Sequence, residues 1–335
     1  MRRRYSIDKK DFSANLSFLL QDYEEVKEFQ MQKDLLRIYD LSRADMDSIF
    51  ERTADLKKKK KNGTTHEPLR GKTLGMIFEK ASTRTRVSFE VGMFQLGGHA
   101  IYLRWTDMQL GRGESIADTA RVLSRYLDGI MIRTFAQSNL DELARYADIP
   151  VINGLTDMCH PCQILADLFT VIEKRGSYDG LKAVYIGDGN NIAHSWISAA
   201  LRLNFDLTLA CPKGHEPDTA IFERARKEAS SKILLMQNPV EAARGADVII
   251  TDTWVSMGQE KEYRERIKAF QGYQVNEKLL EGATKDVLVM HCLPAHRGEE
   301  ITDGVMDGPH SVVFDEAENR LHVQKAILEL LMSKK

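Results

Sequence analysis

Thr73-Leu74-Gly75-Met76-Ile77-Phe78-Glu79-Lys80-Ala81-Ser82-Thr83-Arg84-Thr85-Arg86 holds the change of pattern that decides the fold. A short apolar run stops at Phe78, a hydroxyl-rich turn follows, and helical spacing then takes over. Val87, Val91 and Phe94 predict an apolar stripe on a helix over Arg84–Leu96. A strand that feeds a helix in this way is half of a parallel crossover unit.

The alternation continues on both sides. Upstream, a helix is predicted over Arg43–Lys60, with Asp45 and Asp47 in its first turn and lysines at its end. Downstream, strands are predicted at Ile101–Leu103, Gly129–Arg133 and Pro150–Asn153, with amphipathic stretches at Ser115–Leu127 and Leu140–Ala147. A long helix over His160–Lys174 separates this block from a second one. There, strands fall at Lys182–Gly187, Asp206–Cys211, Ile233–Met236, Asp247–Thr251 and Val287–His291. Helices fall at Ile192–Leu203, Thr219–Lys232, Val240–Ala246 and Glu318–Leu331. The expected fold is α/β: two doubly wound parallel-sheet domains joined by the long helix, with the C-terminal helix packing back on the first. The expected divisions are an extension over 1–33, a first domain over 34–158 plus 318–333, and a second over 159–317.

The chain has 335 residues, which at roughly 150 per domain suits two domains. Lys and Arg (47) nearly cancel Asp and Glu (49), so net charge is no reason to bind nucleic acid or an anionic membrane. The run Lys57–Lys61 has no interleaved aromatics and reads as a solvated helix end. Four cysteines are too few for a disulfide scaffold and point to a reducing, cytoplasmic setting. No apolar run is long enough to span a membrane. In the extension, Leu16, Leu19, Leu20, Tyr23 and Val26 have helical spacing, and Met31 is a candidate working start. Asp8 and Asp11 follow the basic opening at once, which argues against a transit peptide.

Several motifs stand beyond strand ends, where parallel sheets bind ligands. Ser82, Thr83, Arg84 and Thr85 put hydroxyls, a guanidinium and free helix-end N–H groups together, a pocket suited to phosphate. The loop Asp107-Met108-Gln109-Leu110-Gly111-Arg112-Gly113 opens a helix, and Arg133 ends a strand. Cys159-His160-Pro161-Cys162-Gln163 reads as a redox pair, half a zinc site, or a helix start at which His160 and Gln163 donate to a ligand. Gly187-Asp188-Gly189-Asn190-Asn191 half-matches a dinucleotide fingerprint but has Ile192 at the last glycine position. Asp252 ends another strand and can pair with an ammonium group. Cys292, in Met290-His291-Cys292-Leu293-Pro294-Ala295-His296-Arg297-Gly298-Glu299-Glu300, has nothing nearby in sequence that would activate it.

Ser82-Thr83-Arg84-Thr85-Arg86 after a strand resembles the carbamoyl-phosphate signature of the aspartate/ornithine carbamoyltransferases. His160-Pro161-Cys162-Gln163, Asp252-Thr253-Trp254-Val255-Ser256-Met257-Gly258 and His291-Cys292-Leu293-Pro294 also resemble motifs of that family, the last two of its ornithine branch. The resemblance covers about residues 35–333. It implies that Ser82, Thr83, Arg84, Thr85, Arg133, His160, Gln163, Cys292, Leu293 and Arg320 bind carbamoyl phosphate, with Gln109 reaching into a neighbouring subunit's site. It implies that Asn191, Asp252, Ser256 and Met257 hold L-ornithine. Cys292, Arg133 and His160 would be the catalytic groups, with the thiol orienting and deprotonating rather than forming a covalent intermediate. The implied reaction is carbamoyl phosphate plus L-ornithine to L-citrulline and phosphate, a step of arginine biosynthesis. The implied assembly is a homotrimer or a multiple of it, with no metal and no organic cofactor.

Three other readings compete: a relative acting on putrescine or an acylated ornithine, a nicotinamide dehydrogenase, and a non-catalytic scaffold. Asp252 would repel an aspartate substrate, Ile192 argues against the dehydrogenase, and the full set of arginines with Cys292 argues against the scaffold.

Overall fold

The computed structural model describes residues 32–256, 258 and 260–333. The reading of the extension up to Met31 and the expected contact at Met257 lie outside the described residues.

Helix α1 (Arg43–Lys61) starts at a capping box: the Ser42 hydroxyl accepts from Asp45 N, and the Asp45 carboxylate accepts from Ser42 N. Strand β1 (Thr73–Phe78) leads into α2 (Thr83–Gln95), which Ser82 caps by accepting from Thr85 N. Next come β2 (His99–Arg104), α3 (Ile116–Leu123), β3 (Gly129–Arg133), α4 (Gln137–Tyr146) and β4 (Val151–Leu155). Helix α5 (Pro161–Arg175) has proline at its first position and ends at Gly176 with φ +84. The second block runs β5 (Lys182–Ile186), α6 (Asn191–Arg202), β6 (Asp206–Ala210), α7 (Thr219–Glu228), β7 (Ile233–Met236), α8 (Pro239–Ala242) and β8 (Val248–Thr251). It continues through α9 (Tyr263–Ala269), α10 (Glu277–Leu280), β9 (Leu288–His291) and α11 (Asp303–Met306). The last helix is α12 (Val313–Met332).

All strand pairs are parallel. The first sheet has the order β2-β1-β3-β4, the second β7-β6-β5-β8-β9. In each the chain winds outward from a central strand and then jumps back across it. The jump lies between β1 and β3 in one sheet and between β5 and β8 in the other. Helices leaving adjacent strands there diverge and open a crevice at the carboxyl ends. Phe78 is level with Arg133, and Ile186 with Thr251, so the expected site residues leave their strands at these two points. Apolar side chains fill each sheet's faces: Ile77, Ile130, Ile132 and Leu140 in the first block, Ile186, Ile249, Phe270 and Val289 in the second.

The fold class is as expected, and five local readings need correction. Val87 and Phe94 are not a packing stripe; they are 50% and 79% exposed, and α2 instead buries Phe89, Gly92 and Met93. α12 supplies the reason: Lys325, Leu328 and Leu321 lie against Gly92, where a methyl would meet them at 3.4–3.8 Å. The last helix starts five residues before the expected Glu318: α12 begins at Val313 after Val312, which makes no side-chain cap. α7 stops at Glu228 and α8 is only one turn long. The lysine run is not wholly solvated, since Lys57 Nζ donates to Glu173 at 2.9 Å and to Asn319 at 2.6 Å. α12 packs on α5, α1 and α2, tied by Lys57–Asn319 and by the Arg52–Glu329 ion pair.

Candidate active site

The residues that leave the first sheet build a cationic wall. The Arg84 guanidinium donates to the Leu293 carbonyl at 2.5 Å. Arg320 reaches in from α12, donating to Thr85 Oγ1 and to Gln163 Oε1, each at 2.9 Å. Arg133 stands at the end of β3. Arg37, Arg43, Arg52, Arg175 and Arg297 all pair with carboxylates. Arg84, Arg133 and Arg320 pair with none among the described residues, and the Nε of each is buried without a hydrogen-bond partner. Burial, with the positive charge of Arg320 and Arg84 behind it, lowers Arg133 to about 10. Burial, then the Arg84 charge, also lowers Arg320. Three clustered like charges, one buried and two half-buried, without a carboxylate partner among the described residues call for an anion.

His160 is buried at the start of α5, and its Nδ1 has no partner. Burial, then Arg320, Arg133 and Arg84, pushes it well below the usual histidine range. It is therefore a neutral imidazole, able to donate a hydrogen bond but not to add charge. Cys159 and Cys162, beside it, are buried separately: the Cys162 thiol donates to Asn153 O, the Cys159 thiol to Leu36 O and Gln137. Gln163 is wholly engaged. Besides accepting from Arg320, it donates to Asp167 at 2.8 Å and Glu316 at 2.7 Å. Burial raises the Asp167 carboxyl to about 7, and burial followed by the Asp167 charge raises Glu316 well above the usual carboxylate range, so the pair keeps a proton at neutral pH.

The opposite wall comes from the second sheet. Asp252, just beyond β8, accepts from Thr253 N at 2.8 Å, from Asn190 Nδ2 at 2.9 Å and from the Cys292 thiol at 3.2 Å. Burial, and then Asp252 and Glu316, raises the thiol well above its ordinary range, so Cys292 is a neutral donor to a carboxylate. Leu293 has φ +61, rare for a side chain of its size, and turns its carbonyl to Arg84. Its N–H donates to His291 Nδ1 at 2.9 Å, so the imidazole hydrogen is on Nε2, which donates to Glu300 Oε1 at 3.0 Å. His291 thus holds Leu293 in that conformation.

The structure therefore brings Ser82, Arg84, Thr85, Arg133, His160, Gln163, Arg320, Asp252, Cys292 and Leu293 to one crevice. Thr83 is exposed on the first turn of α2. Gln109 is exposed in the turn Gln109–Arg112, and no described hydrogen bond links it to this cluster. Asn191 donates to Thr156 O at 2.8 Å, and Ser256 is half-buried in the loop after β8. Sequence reasoning missed Asn190, which caps α6 and orients Asp252. It missed Asp188 as well, which pairs with buried Arg266 at 2.5 Å and is pushed up by burial to about 6. Arg266 in turn donates to Trp254 O and so anchors the backbone just beyond Asp252. The second glycine of the half-fingerprint serves packing: a methyl on Gly189 would meet Pro217 N at 2.2 Å and Glu216 C at 2.3 Å.

A basic crevice on one parallel sheet facing a carboxylate and thiol on another is the arrangement of a group-transfer enzyme that seats an anionic donor opposite a cationic acceptor. The sequence matches the family described as aspartate/ornithine carbamoyltransferase, carbamoyl-P binding domain, over residues 33–173. It matches the Asp/Orn binding domain of the same family over 179–331. This chain belongs to the aspartate/ornithine carbamoyltransferase family. It is 63% identical over 302 residues to a Syntrophus aciditrophicus protein named ornithine carbamoyltransferase, covering 90% of this chain and 100% of that one. A Geobacter sulfurreducens protein of the same name is 55% identical, with the same coverage. Among solved structures, ornithine carbamoyltransferase from Pyrococcus furiosus superposes with a TM-score of 0.87 at 53% identity, covering 90% of this chain and 97% of that one.

Proposed function

We propose that this chain transfers the carbamoyl group of carbamoyl phosphate to the side-chain amine of L-ornithine, giving L-citrulline and phosphate. The observation that carries the reading is the set of three guanidiniums without a carboxylate partner among the described residues, Arg84, Arg133 and Arg320, on one wall and the Asp252–Cys292 pair on the other. In this reading residues 34–158 with 318–333 seat carbamoyl phosphate and residues 159–317 seat ornithine.

Ser82, Thr83, Thr85 and the N–H groups of α2 join the arginines around the phosphate and stabilise it as a leaving group. His160, Arg133 and Gln163 polarise the carbamoyl oxygen, with the neutral imidazole donating a hydrogen bond. Gln163 must exchange one of its internal partners to do so. Asp252 and the Leu293 carbonyl orient the incoming amine, while Asn191 and Ser256 are placed for its amino-acid end. The amine first loses a proton to water. Its lone pair then attacks the carbamoyl carbon, the carbon–oxygen bond to phosphate breaks with its electron pair leaving on phosphate, and the nitrogen gives its second proton to the departing phosphate. Most of the acceleration comes from position and electrostatics.

A homotrimer in which Gln109 completes a neighbour's site belongs to the same proposal. Exposed Ile101, Val122 and Tyr126 support a subunit contact on the first sheet's side. Among the described residues no helix is long and apolar enough to cross a membrane.

The test is citrulline-type product formation from carbamoyl phosphate with ornithine, putrescine, acetylornithine and aspartate in parallel. Ornithine should be used fastest and aspartate not at all. Asp252→Asn should raise the KM for ornithine roughly tenfold to a hundredfold, the equivalent of one charged hydrogen bond of about 1.5–3 kcal/mol. Faster turnover of another amine, or an unchanged KM, would overturn the assignment.

A further inference from the structure

His296-Arg297-Gly298-Glu299-Glu300 follows the reacting loop and takes no part in the chemistry above. Its backbone folds into a tight turn: Glu299 N donates to His296 O at 2.9 Å, and Gly298, with φ +89, donates to Ile301 O at 2.8 Å. The turn points three side chains at one spot. His296 Nδ1 lies 3.9 Å from Glu299 Oε2 and 3.8 Å from Glu300 Oε2. Both oxygens are buried, and neither has a hydrogen-bond partner among the described residues. Glu300 is 0% exposed.

The second oxygen of each carboxylate is already tethered. Glu299 Oε1 accepts from the Tyr263 hydroxyl at 2.6 Å. Glu300 Oε1 accepts from His291 Nε2–H at 3.0 Å and from His296 N–H at 2.5 Å. The free oxygens are thus aimed by their own frame, and no described lysine or arginine pairs with either carboxylate; Arg297 is committed to Asp303 and Asp307. A buried carboxylate oxygen without a donor is costly. Two of them converging on one imidazole nitrogen make a ligand set.

We propose that His296, Glu299 and Glu300 form a binding site for a divalent transition-metal ion of the zinc type. One imidazole nitrogen with two carboxylate oxygens is a donor set that zinc uses, whereas magnesium and calcium prefer oxygen alone. The three donor atoms lie within 4.8 Å of one another. Tetrahedral bonds of about 2.0–2.1 Å place ligands roughly 3.4 Å apart, so each His296 contact closes by about half an ångström and the two carboxylate oxygens by at most about 1.4 Å. The His296 side chain is 44% exposed, which gives the ion an entry path and leaves room for water as a fourth ligand. The ion is not a reagent for carbamoyl transfer. Its ligand Glu300 does hold His291, which holds the Leu293 N–H, so the site is joined to the reacting loop through two hydrogen bonds.

Asp252, His291 and Cys292 are a second group within the same span, inside the crevice, and the experiment has to separate the two. Full-length protein and its Cys292→Ala variant are titrated with Co2+, read by the visible d–d bands, and then with Zn2+ to displace it. The Cys292→Ala chain should bind one Co2+ with no thiolate charge-transfer band, and Zn2+ should bleach the spectrum. Adding His296→Ala or Glu299→Gln should weaken binding at least tenfold; both positions are partly exposed, and unfolding curves check that the variants remain folded. No Co2+ binding by the Cys292→Ala chain, or equal affinity in all these chains, would overturn the proposal.

Discussion

Replacing Arg133 with methionine should make the ligand-free protein more stable and the anion site weaker. The Arg133 side chain makes no hydrogen bond among the described residues, and its Nε is buried without a partner. Burial first, then Arg320 and Arg84, lowers it to about 10. A base whose folded pKa is lowered costs stability wherever it is charged in the fold. The penalty is therefore complete below about 10, and it fades only as pH rises through that value. At neutral pH it amounts to about 3 kcal/mol. Methionine keeps much of the stem's packing and removes the charge, so Arg133→Met should gain about 1–3 kcal/mol, or roughly 2–6 °C in Tm for a chain of this size. With phosphate or a bisubstrate analogue present the order should reverse. The parent is stabilised by binding, and the variant loses about 1.5–3 kcal/mol for each charged hydrogen bond. Thermal unfolding with and without ligand reads both effects. A ligand-free Tm at or below the parent's, or an undiminished shift with phosphate, would refute the picture of a buried cationic site awaiting an anion.

Other outcomes follow from the same site. Cys292, its thiol raised by burial and by Asp252, should react with iodoacetamide at about pH 8 more slowly than cysteine in the unfolded chain. Asp252→Asn should speed that reaction, and a thiol faster than the unfolded reference would show that Cys292 is an activated nucleophile after all. The rate with ornithine should climb between about pH 6 and about pH 9 as the amine deprotonates. His160, held neutral throughout that range, should add no limb of its own, and a flat profile would contradict the proton loss assigned to the amine. Gly189→Ala forces a methyl to within 2.2 Å of Pro217 N, a backbone atom that cannot swing aside, and should cost at least about 1–3 kcal/mol in urea unfolding. Unchanged stability would mean that the 212–217 segment yields freely.

Much of the architecture could be read from the chain because its signals are local. An apolar run such as Thr73–Phe78 or Ile233–Met236 is a strand whatever it pairs with, and the structure gives both the same bounds. The hydroxyl and arginine cluster after Phe78, Arg133 at a strand end and Cys292 past another were legible for a related reason. In parallel sheets the carboxyl ends of the strands share one side, so residues there meet without knowledge of the packing.

What the sequence determined by itself was the alternation of strands and helices, the two-block organisation and the family to which the motifs belong. Only the tertiary structure decided which face of α2 is buried, since the surface that covers Gly92 comes from α12, more than two hundred residues later in the chain. It alone showed that Arg84, Arg133 and Arg320 have no carboxylate partner among the described residues and that Asn190 orients Asp252. It alone joined Glu300, through His291, to the conformation of Leu293. These are contacts between segments distant in sequence, or between neighbours turned by a loop, and their energies depend on burial and the absence of competing partners. No local pattern encodes that, because desolvation is a property of the assembled fold.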